Sequence, residues 1–277
     1  MIIWIASYPK SGNTFVRSFL SAYYYSNSGE FNFELLKFIE QFPDKQFFDS
    51  FIRSKEEVSK LWVPMQEKII SSKKIRFLKT HSAYGSYDSN PFTSSKVTLG
   101  GIYIVRDPRN VAISLMNHFS LDQEGALEML FDQNRGIKSE DNNFATYSFL
   151  SSWANHYKSW SNIKSFKTLL IRYEDLEKNV EEVFTILIKF INMLLNIKGI
   201  DHQKLNKAIL TTKFDSLKKK EKESGFKEAM FSKKEDNKIP FFNSGFNTNW
   251  KKQLNESSIE KIEKKFIKEM NKLGYLK

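Results

Sequence analysis

Lys10, Ser11, Gly12, Asn13 and Thr14 stand between an apolar run, Ile2 to Ala6, and a segment in which Val16, Phe19 and Leu20 recur at helical spacing. A buried strand that feeds a small polar turn and then a helix can cradle an anion. Gly12 permits close backbone approach, Ser11 and Thr14 offer hydroxyls, and Lys10 brings charge. The first N–H groups of the helix face whatever anion sits there, so a phosphoryl or sulfuryl group is the expected ligand. Residue order narrows this. In a nucleotide triphosphatase loop the lysine follows the last glycine and a hydroxyl serves magnesium; here Lys10 precedes Ser11-Gly12.

A second anion site is expected where Ile102 to Val105 ends in Arg106-Asp107-Pro108. Asp107 suits an N-cap and Pro108 the first helical position. Arg106 then leaves the strand with a planar guanidinium suited to phosphate, and Ser114 lies about two turns into the helix. The lesser alternative for Arg106, taken alone, is a pairing with a carboxylate such as Asp107 or Asp175. Two strand-end sites imply a ligand with two separated charged groups, which a nucleotide phosphorylated at both ends of its ribose satisfies better than a triphosphate. His81 follows a third strand, with Lys79 beside it, and can serve as a general base. His118, His156 and His202 lack such company and read as structural or surface residues.

These residues need a scaffold that brings strand ends together. Strand-like runs at Ile2–Ala6, Ile75–Lys79, Gly101–Val105 and Thr168–Ile171 alternate with helical segments, which predicts an α/β fold with a mainly parallel sheet covered by helices. Ligands in such sheets gather beyond the carboxyl ends of the strands. Asn179 is expected to cap a helix with Val180, Val183, Phe184, Leu187, Phe190 and Ile191 on one face. Ser257 and Glu260 form a capping-box pattern before an amphipathic stripe of Ile259, Ile262, Phe266 and Leu273. Residues 119–145 and 217–249 lack clear periodicity and read as long loops, expected to act as lids or binding segments.

Composition sets the outer bounds. At 277 residues, 40% hydrophobic with 25 Phe, the chain can form one large domain. It has no cysteine, so disulfides and thiolate metal sites are excluded and a cytoplasmic location fits. The apolar run begins at Ile2, so a signal peptide is not expected. The most apolar later stretch, Val183 to Ile197, contains Lys189 and is too short to span a bilayer. A formal net charge of +11 would suit anionic ligands. The lysine-rich stretches mix both signs, and no nucleic-acid-binding signature is present.

On these residues the chain resembles the cytosolic-type sulfotransferases that use 3′-phosphoadenosine 5′-phosphosulfate. Ser7-Tyr8-Pro9-Lys10-Ser11-Gly12-Asn13-Thr14-Phe15 resembles the family's 5′-phosphosulfate loop, and Val105 to Ser114 its 3′-phosphate segment. The similarity continues through Leu78 to His81, Ile171 to Leu176, Phe241 to Gly245 and Trp250-Lys251. It implies a three-layer, P-loop-like fold in a single domain spanning residues 1–277. It further implies that Lys10 contacts the sulfuryl group while Ser11, Gly12, Asn13 and Thr14 hold the 5′-phosphate. Phe15 would stack on adenine, with Tyr173, Thr212 and Phe214 around the nucleotide, and Arg106 and Ser114 would bind the 3′-phosphate. His81 would be the catalytic base, Lys10 and Lys79 would neutralise developing charge, and Ser114 would restrain Lys10 when no acceptor is bound. In-line transfer would leave adenosine 3′,5′-bisphosphate and would need no metal. The expected partner is a small-molecule acceptor, with a tilt toward a hydrophobic hydroxylated molecule from Phe131, Phe144, Tyr147, Phe149 and Trp153, although most of these aromatics suit the core.

Three departures limit the resemblance. Asn243-Ser244-Gly245 stands where the family usually places Arg-Lys-Gly for the 3′-phosphate. Asn13 replaces a more usual Thr, and its amide can still bond to phosphate. The family's dimer motif maps to Lys251 and Glu260, but Asn255-Glu256 replaces its central pair, leaving the oligomeric state open. Two alternatives follow: a nucleotide-dependent kinase of the same broad fold, and a sulfotransferase-like binding protein that has lost turnover.

Overall fold

Ile2–Ser7 forms β1, and all six of its residues are buried, as an apolar run covered by helices on both faces requires. The computed structural model describes residues 1–71, 74–226, 230–231, 238–239, 241–242 and 249–276. Four more strands join β1: Ile39–Gln41 (β2), Arg76–Thr80 (β3), Thr98–Val105 (β4) and Lys167–Arg172 (β5). Their order is β2-β3-β1-β4-β5 and every pairing is parallel. β1 is therefore central, and its carboxyl end lies between those of β3 and β4.

Helices that matter here are Asn13–Tyr25 (α1), Lys55–Ile70 (α2), Pro108–Phe119 (α3), Gln123–Phe131 (α4), Trp153–Ser161 (α5), Tyr173–Lys178 (α6), Val180–Leu195 (α7), His202–Thr211 (α8), Phe214–Ser224 (α9), Trp250–Gln253 (α10) and Glu256–Lys272 (α11). Strand residues alternate between faces, and the core divides accordingly. Ile3, Ile5, Ile102 and Ile104 pack with Val16, Phe19 and Leu20 of α1 and Phe184, Leu187, Ile188 and Ile191 of α7. Trp4, Ala6, Tyr103 and Val105 pack with Val111 and Leu115 of α3, Trp153 and Trp160 of α5, and Ile262 and Phe266 of α11. This is the three-layer α/β arrangement expected from the sequence. Asn179 caps α7 as read, its side chain accepting from Glu182 N.

Some local expectations are corrected. Residues 119–145 are not one long loop, because Gln123–Phe131 is helical, with Asp122 accepting from Gly125 N and Ala126, Leu127, Met129 and Leu130 buried. Gly125 and the short length hid its period. Residues 217–224 belong to α9, where Leu217 is the buried anchor and Lys219 and Glu223 pair across one turn. A single buried residue in a run of charged ones reads as a solvated segment rather than as a core-facing helix. The cap of α11 is Asn255, which accepts from Ser258 N, rather than Ser257. β2 was missed because only Ile39 of its three residues is buried. Among the described residues, no helix is long and apolar enough to cross a membrane.

Candidate active site

Ala6 of β1 lies opposite Thr80 of β3, so Ser7 and His81 leave the sheet side by side. His81 Nδ1 is 2.8 Å from Ser7 O and 3.4 Å from Ser7 Oγ. A carbonyl oxygen only accepts, so Nδ1 carries the proton. A neutral His81 then keeps its lone pair on Nε2, the nitrogen suited to take a proton from another molecule. Lys79 precedes it in β3, nearly buried at 5% exposure.

On the other side of β1, Ser7 is in register with Ile104 of β4, which brings Arg106 to the Lys10 turn. Arg106 Nη1 donates to Lys10 O at 3.2 Å, and the guanidinium lies 4.4 Å from the Tyr173 ring centroid. That ring also closes on Gly12. A Cβ at Gly12 would fall 2.3 Å from Tyr173 Cδ2, and Gly12 has φ 96°, so position 12 demands glycine twice over. Lys10 has φ 68° and extends its Nζ to 4.5 Å from the Phe241 ring centroid.

Ser11 Oγ is fully buried without a hydrogen-bond partner. A buried hydroxyl left unsatisfied at the mouth of a helix fits a ligand oxygen. Asn13 faces the opposite way from the expectation, since its Nδ2 donates to Ile5 O and Ser7 Oγ at 3.0 and 3.2 Å. Its side chain braces the turn from behind, leaving its backbone in the first turn of α1 toward the anion. Thr14 is buried and Phe15 half-buried, the Phe15 ring 5.4 Å from Phe184. Ser114, half-buried, sits on α3. Thr212 donates its hydroxyl to Ala208 O at 2.7 Å, so that group closes α8. Phe214 opens α9 with its ring 6.2 Å from Phe242. Glu221 accepts from Phe241 N and Phe242 N at 2.7 and 2.9 Å, tying α9 to the segment that leads onward. Asn243, Ser244 and Gly245 lie outside the described residues.

The Arg106 turn is clamped by charges. Asp107 caps α3 and pairs with Arg109 at 2.6 Å, while Asp175 lies nearest Arg172, 3.8 Å away. Asp107 N donates to Glu174 Oε1, and Tyr275 Oη donates to Glu174 Oε2, both at 2.9 Å. Arg109 Nη2 donates to Tyr275 O at 2.8 Å and Nη1 to Glu263 at 2.5 Å. Burial pushes the Glu174 carboxyl above its ordinary value against these hydrogen bonds. Burial also raises the Tyr173 phenol, although Arg106 pulls it down. Glu174, Tyr275 and Glu263 carry no local sequence signal for this role, because their partners lie up to 166 residues away.

His118 is half-buried near the end of α3 and His202 is exposed, as expected; His156 is fully buried. Trp153 lies in the core and Phe131 packs against Phe266. Tyr147 is also buried in that core; it and Phe149 flank Tyr87, at 5.8 and 5.4 Å, and Phe149 O accepts from Ala83 N at 2.7 Å, two residues beyond His81. Among the described residues no group of three or more His, Cys, Asp or Glu side chains is placed to hold a metal ion.

A family profile described as "Sulfotransferase domain" matches residues 2–274. "Sulfotransferase 1 family member D1" of Mus musculus is 24% identical over 285 residues, 97% of this chain and 83% of the relative. "Luciferin sulfotransferase" of Photinus pyralis is 23% identical over 275 residues, 94% and 69% of the two chains. Among solved structures, mouse sulfotransferase SULT7A1 complexed with PAP matches with a TM-score of 0.56 at 18% identity, covering 97% of this chain and 84% of that one. Retinol dehydratase in complex with androsterone and inactive cofactor PAP matches with a TM-score of 0.59 at 16% identity, covering 97% and 80%. At these identities the structural likenesses establish the fold.

Proposed function

The chain belongs to the sulfotransferase domain family, and we propose that it transfers the sulfuryl group of 3′-phosphoadenosine 5′-phosphosulfate to a hydroxyl or amine of a small-molecule acceptor, with His81 as general base. The observation that carries this reading is the joining of three strand ends at one turn. Arg106 reaches Lys10 O at 3.2 Å, and Ser7 O holds His81 Nδ1 at 2.8 Å. Two anion-binding turns and a base therefore share one wall, as a donor phosphorylated at 3′ and carrying phosphosulfate at 5′ requires.

In this reading Ser11 to Thr14 hold the 5′-phosphate and Arg106 with Ser114 hold the 3′-phosphate. Phe15, Tyr173, Thr212 and Phe214 surround the nucleoside. Asn243, Ser244 and Gly245 complete the 3′ side with fewer cations than the family usually supplies. His81 Nε2 removes the acceptor proton as the acceptor oxygen or nitrogen bonds to sulfur and the bond from sulfur to the bridging oxygen breaks. Lys10 and Lys79 neutralise charge on the sulfuryl oxygens and the departing phosphate, so the reading calls for no resident metal. Adenosine 3′,5′-bisphosphate leaves as product, a reading supported by the PAP bound in the neighbouring structures. The half-buried Tyr87 and Phe149 rings, which meet at 5.4 Å, with the Phe149 main chain bonded to Ala83, favour a hydrophobic hydroxylated acceptor.

The test is incubation with sulfur-labelled donor and a metabolite extract, followed by mass identification of the sulfated product. His81→Ala is expected to lower that turnover by about 10²- to 10⁴-fold while leaving bisphosphate binding intact. Unchanged turnover would remove His81 from the mechanism.

A further inference from the structure

We propose that His156 of α5 is a positioning residue for His81, fixing the main chain from which the base projects; this rests on His81 being the base. β3 ends at Thr80, and residues 81–84 have no strand partner, yet all four are held in succession. His156 Nε2 donates to His81 O at 3.0 Å and Trp160 Nε1 donates to Ser82 O at 3.0 Å. Ala83 N donates to Phe149 O at 2.7 Å, and Tyr84 N donates to Ser159 Oγ at 3.0 Å. Three of these four contacts come from positions 156, 159 and 160, which share one face of α5.

The chemistry of the His156 ring is determined by its partners. His81 O can only accept, so Nε2 of His156 bears the proton, and Nδ1 accepts from Tyr103 Oη, 2.9 Å away on β4. The ring is wholly buried, with Tyr8 set edge-on at 5.5 Å and Tyr103 at 5.6 Å. Burial lowers its pKa to about 4, so it remains a neutral single-proton donor across the working range. His81 is thus fixed twice, at its ring by Ser7 O and at its carbonyl by His156. Displacing a reacting group by about 1 Å can cost on the order of 10²-fold in rate, which is the scale expected on losing one of these anchors.

The deciding experiment uses full-length protein labelled with ¹⁵N-histidine, in which the four histidines can each be followed by long-range nitrogen–proton NMR. His156→Leu should turn the single Nδ1–H signature of His81 into a tautomer mixture with a displaced titration midpoint. His156→Gln, which keeps an amide donor, should restore the original pattern, and both variants should bind adenosine 3′,5′-bisphosphate as the unaltered protein does. With 4-nitrophenol as acceptor, kcat should fall about 10- to 100-fold in His156→Leu and recover in His156→Gln. An unchanged His81 spectrum in a folded His156→Leu protein overturns the positioning role, as does failure of His156→Gln to rescue it. Failure of the base assignment is read separately, as full turnover in His81→Ala, and does not alter the NMR outcome.

Discussion

Gly12 is the residue on which the anion turn depends most sharply. Its φ of 96° and the Tyr173 ring 2.3 Å from any added Cβ act together. Gly12→Ala should cost about 1–2 kcal/mol for left-handed backbone and about 1–3 kcal/mol for overpacking, measured by urea unfolding, with weakened bisphosphate binding. His156 gives a pH signature. Its folded pKa of about 4 lies below the ordinary 6.5, so the unfolded chain takes up this proton first and stability falls as pH drops from 6.5 toward 4. At about 1.4 kcal/mol per pH unit, the loss reaches about 3 kcal/mol. Denaturant melts across that window should show it in the unaltered protein and not in His156→Gln. The meeting of Lys10, Arg106 and His81 at adjoining strand ends was legible because each follows a compact apolar run. The direction of Asn13 was not, because an amide suits phosphate and carbonyl equally and only the packed turn decides between them. His156 looked bland for a similar reason, since its partner is a main-chain carbonyl.

Among the elements, the turn between β4 and α3 is braced by a buried ion pair and its neighbours. Asp107 and Arg109 are each 6% exposed at their side chains and lie 2.6 Å apart, and the pair connects through Tyr275 to Glu174. Neutralising one side of a buried pair costs the charge-assisted hydrogen bonds between them. Asp107→Asn keeps a capping oxygen and leaves Arg109 its Glu263 partner, so it should destabilise the fold by about 1–3 kcal/mol and loosen Arg106. Unfolding curves and bisphosphate titration of the same variant check both effects. Four of the five strands were readable because each is a compact apolar run. β2 and α9 were not, because each buries a single residue, and α4 was not, because it is short and carries Gly125. Asn255 illustrates a related limit: it interrupts a dimer pattern by type, and in the fold it caps α11 and donates its N–H to Gln123 at 3.1 Å.

At the scale of the whole molecule, five parallel strands bring β1, β3 and β4 to a common edge. The three residues with the clearest chemistry leave from those adjoining ends. The order of strands explains why residues 10, 81 and 106, far apart in sequence, share a wall, and the alternating runs made that arrangement foreseeable. The ties from α9 to residues 241–242 and from Tyr275 to the Arg106 turn were not foreseeable, because they join segments with no periodic relation. A net charge of +11 would favour approach of the anionic donor proposed above, and in that proposal the two turns select it. The most direct measurement is calorimetric titration with adenosine 3′,5′-bisphosphate and, separately, with ATP. Saturable binding of the bisphosphate, lost in Arg106→Ala, with no binding of ATP is the expected result; binding of ATP with none of the bisphosphate would contradict the assignment.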